Sequence, residues 1–311
     1  MKKLKQTYLH SARIQGAVLL MLMIVGSIWD LPISKFLYPG RESSFGQFFA
    51  AFGELPAFLA MTSAGILLFV HRKRLRRSWN VLFIAASAVL VLGGVVLSIH
   101  EARDNVPAMP VWVAALVTVF AAALVGGLLL LATKGCQTKT LLRFIFALAF
   151  VSIGTMFLIN MIKIPWGRPR MRLILSTGNE SYFQPWWKLG SGLKAKLIAE
   201  GVAPDEFRSF PSGHTGCAAC GMLAILLPTV CKCLRGKERV CLIAGAVWTA
   251  AVAFSRLMMG AHFLTDVTAA TAITLGAAWL GIWLCYFNGK FFRTVWGLLA
   301  EPGANNKNSE T

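Results

Sequence analysis

The chain has 311 residues, 56% of them hydrophobic and only 14% charged, with a mean hydropathy of +0.63. Such values fall well outside the range of ordinary soluble domains and describe a polytopic membrane protein. The formal net charge of +18 comes from 31 basic against 13 acidic residues, but the basic residues lie mostly between apolar stretches. The excess is therefore no nucleic-acid footprint, and no nucleic-acid partner is expected.

In chain order, a basic N-terminus (Lys2, Lys3, Lys5, Arg13) precedes an apolar run over residues 16–29. No small-residue cleavage site follows it, so it reads as an uncleaved first span. Further spans are predicted near residues 48–70, 79–99, 109–132, 141–162, 214–230, 240–259 and 264–286, each close to the ~20 residues that a helix needs to cross a bilayer. The expected fold is all-α, a transmembrane bundle of about eight spans. N-terminal helices occupy residues 1–140, a catalytic core 141–290 with a long loop over 163–213, and a cytoplasmic tail 291–311 whose Gly/Asn-rich end reads as disordered. The seven cysteines (136, 217, 220, 231, 233, 241 and 285) lie in or near spans or in basic loops and suggest no disulfide framework.

Lys and Arg number four, five, three, four and three in the N-terminus, in 71–79, in 134–143, in 231–239 and after residue 286. The positive-inside rule makes these segments cytoplasmic. The intervening loops are poor in basic residues except 163–213, which holds eight. A basic loop on the extracytoplasmic side runs against the usual bias and calls for a local reason such as anion binding. This topology brings Lys163, His214 and His262 to one outer face from distant parts of the sequence.

The chemistry centres on Arg208 to Thr215, reading Arg-Ser-Phe-Pro-Ser-Gly-His-Thr, where a hydroxyl, a glycine and an imidazole meet the start of an apolar helix. Pro211 suits a first helical turn, Gly213 lets the backbone approach a ligand, and free N–H groups there favour an anion. Fifty residues on, His262 and Asp266 are four apart. On a helix start they share a face, so the carboxylate is expected to reach the imidazole, fix its tautomer and leave the other nitrogen as nucleophile or base. Lys163, Arg170 and Arg256 supply positive charge for a phosphoryl group, Ser212 and the Gly213 N–H add donors, and His214 is left to protonate the leaving oxygen. No carboxylate cluster on this face offers a metal site.

These clusters resemble the signature of the type 2 phosphatidic acid phosphatase (PAP2) superfamily, KxxxxxxRP, PSGH and SRxxxxxHxxxD. Lys163 and Arg170 match the first motif, Pro211 to His214 the second, and Ser255, Arg256, His262 and Asp266 the third. Met171 stands where the family has proline. An alternative register pairs Arg168 with Pro169 but leaves only four residues after Lys163, and spacing favours Arg170. The resemblance implies hydrolysis of a phosphomonoester or pyrophosphate through a phosphohistidine on His262, with no metal or other cofactor. The membrane setting points to a lipid phosphate in the inner cell membrane, acted on at the extracytoplasmic side. Phosphotransfer to another acceptor, or an anion or lipid transporter, are the other readings, and the oligomeric state stays open. The family core has three helices before the second motif, so two of the five spans here look like an addition.

Elsewhere, Glu54 and Pro56 read as an interfacial helix start, His100 and Glu101 as a solvated outer loop, and His10 and His71 as cytoplasmic. Residues 181–188, Ser-Tyr-Phe-Gln-Pro-Trp-Trp-Lys, put four aromatics in the outer loop. They would either sit in the headgroup layer beside the pocket and guide a lipid in, or pack the loop onto the helix ends.

Overall fold

The computed structural model describes residues 2–38 and 43–300; among them there are helices and turns and no β-strand. Eight helical stretches are long and apolar enough to cross a membrane, from Lys3–Leu37 to Leu264–Phe287, in the order expected from the hydropathy. The chain is an all-α, multi-pass membrane protein.

The principal helices are α1 Lys2–Leu37, α2 Ser44–Phe52, α3 Leu55–His71, α4 Asn80–Asn105, α5 Val111–Ala132 and α6 Thr138–Trp166. The long loop then carries α7 Met171–Thr177 and α8 Ser191–Ala199. The sixth span is α9 Gly213–Ala219, a 3-10 stretch Cys220–Leu226 and α10 Leu227–Val230, and α11 Glu238–Met258, α12 Leu264–Ile282 and α13 Gly289–Leu299 complete the chain. Because lipid is as apolar as leucine, close helix packing relies on small residues. The enclosed sixth span shows this: α11 approaches it so closely at Gly245 that a Cβ there would overlap the backbone of Gly221 and Met222.

Three expectations are corrected. The span expected near 48–70 begins earlier and in two pieces, since residues 44–52 form α2, which begins with the Ser43 side chain accepting from the Gly46 N–H, ahead of α3. The tail expected from residue 291 begins instead as α13, which buries Phe292 and Trp296 against Leu75, Phe83 and Leu142; residues 301–311, where disorder was expected, lie outside the described residues. Pro211 precedes the helix, whose N-cap is Ser212, rather than entering its first turn.

What positions the loop is a buried ionic junction. α6 ends at Gly167, whose left-handed φ of 67° turns the chain back across the helix end. The next residue, Arg168, is fully buried. Its Nε donates to the Gln184 carbonyl at 2.8 Å, Nη1 to Thr265 Oγ1 at 2.8 Å and to Asp266 Oδ1 at 2.5 Å, and Nη2 to Asp30 Oδ2 at 2.9 Å. Phe263 stacks 4.3 Å from the guanidinium carbon. Asp30 reaches this point because α1 bends at Trp29, three residues before Pro32, which cannot continue the helical ladder. It also accepts from the Thr265 N–H and hydroxyl. One guanidinium thus ties α1, the long loop and α12 together. Removing one partner of a buried pair leaves uncompensated charge, at about 3–5 kcal/mol. Arg168→Ala is expected to cost that much, and Arg168→Lys to rescue little, since an ammonium cannot span four acceptors. Thermal unfolding in detergent checks this, and an Arg168→Ala midpoint equal to wild type would contradict the junction.

Candidate active site

The three sequence clusters meet at one end of the bundle, laced by backbone hydrogen bonds. Arg170 N–H donates to Glu206 O at 2.8 Å, Arg172 N–H to Gly260 O at 2.9 Å, Ser209 N–H to Arg168 O at 3.1 Å, and Ser212 N–H to Asp266 O at 3.1 Å. They enclose a cavity of about 220 Å3. Lys163, Arg170, Gly213, His214, Arg256 and His262 all line it; Ser212, Asp266 and Arg168 do not.

His262 is 2% exposed and sits after the Gly260 turn that ends α11. Its Nδ1 lies 2.6 Å from the Ser209 carbonyl oxygen. A carbonyl only accepts, so Nδ1 carries the proton and Nε2 keeps its lone pair. Asp266 does not make this bond, because its nearer oxygen is 3.8 Å from Nδ1. The reason is local: Asp266 lies in the first turn of α12, where Oδ2 accepts the Phe263 N–H at 2.7 Å and the Ser209 hydroxyl at 2.5 Å, while Oδ1 takes Arg168. The expected role of fixing the tautomer thus passes to Ser209, with Asp266 holding Ser209 in place. Burial pushes the His262 pKa down to about 4, opposed by the Asp266 carboxylate and reinforced by Lys163 and Arg170.

His214 departs further from expectation. Its Nδ1 is 3.1 Å from Glu54 Oε1 and its Nε2 is 3.0 Å from the Ala50 carbonyl. Nε2 must donate to the carbonyl, so Nδ1 and the Glu54 carboxyl share a single proton, held by one or the other. His214 is therefore not a free imidazole aimed at a leaving group. Glu54, read as an interfacial helix start, is buried and joins it on the cavity wall.

Among the cations, Lys163 is buried at the cavity wall and makes no hydrogen bond among the described residues; its Nζ would be 3.2 Å from a Cβ built on Gly213. Arg170 pairs through Nη2 with Asp205 at 2.9 Å and has a buried Nε without a partner. Arg256 is anchored by Nη2 on the Gly46 carbonyl of α2 at 2.6 Å. Of the two arginines, Arg170 borders the cavity and Arg168 does not. Ser212 does not border the cavity: its hydroxyl caps α9 by accepting the Thr215 N–H at 3.3 Å and lies 3.0 Å from the Thr215 hydroxyl.

Sequence reasoning missed several wall residues. His100 and Glu101, read as solvated loop, belong to α4, which continues to Asn105 and puts both on the wall with Asp104. Arg208 and Arg172 border the cavity as well. The signal for Glu54 and Asp30 was present, since a carboxylate at a span calls for a partner inside the bundle. The aromatic stretch packs at Trp186, whose ring stacks 6.0 Å from Phe210 and whose Nε1 donates to Ser27 Oγ at 2.9 Å. Trp187 is exposed, and neither tryptophan borders the cavity. Among the described residues no three His, Cys, Asp or Glu side chains are grouped as metal ligands, and all seven cysteines are free.

No curated protein and no solved structure matches the chain. Residues 140–290, from the start of α6 to the start of α13, match the sequence model of the PAP2 superfamily. This segment, which supplies every cavity residue from Lys163 to His262, belongs to the PAP2 superfamily, and that membership supports a phosphatase acting on phosphate esters.

Proposed function

We propose that the protein is a metal-independent lipid phosphate or pyrophosphate phosphatase that works through a phosphohistidine on His262, with its active site on the extracytoplasmic side of the inner cell membrane. The observation that carries this reading is the fixed Nδ1–H to Ser209 bond, which leaves a neutral, buried Nε2 lone pair on the wall of a cavity rich in cations.

In the first step Nε2 forms a bond to phosphorus as the bond to the leaving oxygen breaks. Lys163, Arg170 and Arg256 balance the charge on the equatorial oxygens, and the free Arg170 Nε supplies an unused donor. The leaving oxygen takes the proton held between Glu54 and His214. Water then attacks phosphorus, its proton returns to that pair, and the N–P bond breaks to release inorganic phosphate and His262. Asp266 and Ser209 stabilise the positive charge that develops on the imidazole ring.

His262→Ala is expected to abolish turnover and Glu54→Gln to reduce kcat by about 10²–10⁴, the usual range for general acid–base catalysis. Brief reaction with 32P-labelled substrate should leave acid-labile, alkali-stable label on wild type and none on His262→Ala, and EDTA should not change the rate. Label that survives in His262→Ala, or a divalent ion needed for activity, would refute the mechanism.

The depressed pKa gives a second check. A histidine with a pKa near 4 is neutral, and hence nucleophilic, at every higher pH, whereas an ordinary one loses its proton only near 6.5. In phosphate-free protein, the NMR resonance assigned to His262 by loss in His262→Asn should keep its neutral position down to about pH 5. Titration near 6.5 would show a solvated ring.

The sidedness rests on the alternating basic loops. A membrane-impermeant thiol reagent applied to intact cells, with a single cysteine in an otherwise cysteine-free chain, should label position 195 and not position 235. The reverse pattern would turn the site to the cytoplasm.

A further inference from the structure

Beside the polar cavity runs a second, apolar one of about 370 Å3, a groove between α4 and α6 floored by Met61 of α3. The two share Met156 and Asn160. Helical spacing explains the continuity: Met156, Ile159, Asn160 and Lys163 form the face of α6 on the catalytic cavity, and Ile153, Met156, Phe157, Asn160 and Ile164 form the adjoining face on the groove. α4 shows the same transition, with Leu97 in the groove and Glu101, Asp104 and Asn105, four, seven and eight residues on, at the cavity. Both helices thus pass from apolar to charged at the same end.

We propose that the hydrocarbon chain of the substrate lies in this α4–α6 groove, with its phosphate in the cavity, so that helices outside the PAP2 segment supply one wall of the lipid site. The inference rests on the lipid phosphatase reading above and adds where the lipid binds. Ile153 and Ile164 are eleven residues apart, ~16 Å along a helix, which matches the ~15 Å of one leaflet's hydrocarbon. The groove is lined by Ile153, Phe157, Met161 and Ile164, all exposed along the side of the bundle, so a chain can enter from the bilayer without crossing the polar loop. Met61, Met156 and Met161 give it a wall that adapts to chain shape. A second apolar groove of about 370 Å3, between α1, α11 and α12, shares no lining residue with the catalytic cavity and therefore offers the phosphate no continuous route.

The test compares dioleoyl phosphatidate in mixed micelles with soluble p-nitrophenyl phosphate. Leu97→Trp and Ile153→Trp, which fill the groove, should lower kcat/KM for the phosphatidate at least tenfold and leave the soluble ester within twofold. Ala253→Trp, in the α1–α11–α12 groove, should leave both within twofold. Unchanged phosphatidate turnover in the groove variants, or a selective loss in Ala253→Trp, overturns the proposal. Because a tryptophan can also unfold the chain, a phosphatidate carrying a diazirine at the end of its chain is photolysed on the full-length His262→Ala protein. Label on α4 or α6 peptides supports the groove, and label on α11 or α12 peptides overturns it. Label on α4 or α6 with no phosphate released by wild type would instead refute the phosphatase reading and leave the groove standing.

Discussion

The site depends on one buried cation. Arg168 is held between Asp30 and Asp266, with a single guanidinium facing two carboxylates and no exposure to solvent. In so enclosed a place neither acid is tolerable without the arginine, and the arginine is not tolerable without them. The geometry is therefore determined from both ends: a planar fork with fixed donor directions aligns the bend of α1, the turn after α6 and the first turn of α12. Asp266, gripped by Arg168, in turn holds the Ser209 hydroxyl, and the Ser209 carbonyl sets the His262 tautomer. The relay begins at a residue that borders no cavity and ends at the atom assigned to attack phosphorus.

The two histidines differ through their acceptors. Each donates to a backbone carbonyl, His262 from Nδ1 and His214 from Nε2. The remaining nitrogen decides the role. On His262 it makes no hydrogen bond among the described residues, so it keeps a lone pair for bond formation. On His214 it faces Glu54, so it shares a proton for transfer. On the proposed reading the opposite roles thus follow from what faces the remaining nitrogen, without any difference between the side chains themselves.

Much of this was legible in the sequence. Eight spans could be read because a helix in lipid satisfies its own backbone groups and needs only length and apolarity, and Lys163, Arg170, His214, Arg256 and His262 could be placed on one cavity because spacing and alternation of spans fix the face on which each emerges. What stayed hidden depends on contacts between distant segments. Spacing put Asp266 within reach of His262 but could not show that Phe263, Ser209 and Arg168 already claim its oxygens. Likewise Ser212 looked like a ligand until its hydroxyl proved to be the cap of α9. Glu54 and Asp30 stood in plain view as carboxylates at spans, and only the partners found across the bundle give them meaning.

The charge around the cavity explains how such a site persists between turnovers. Lys163, Arg170, Arg172, Arg208 and Arg256 border it, and so do Glu54, Glu101, Asp104 and Asp205. Five cations facing one another in a low dielectric would repel strongly, and Glu101, Asp104 and Asp205 offset part of that repulsion, while Glu54 and His214, sharing one proton, are together neutral. Three of the four, Glu54, Glu101 and Asp104, come from outside the PAP2 segment. Asp104 and Asp205 are both exposed, but Asp205 is the one paired with the cavity arginines, with Arg170 at 2.9 Å and Arg172 at 3.3 Å. On the proposed reading an incoming phosphate displaces this exposed carboxylate into solvent, while Glu54 stays buried against His214. The N-terminal helices then do more than enclose the core: their carboxylates face its cations while Asp205, from the long loop, is the acid that a phosphate would replace at Arg170.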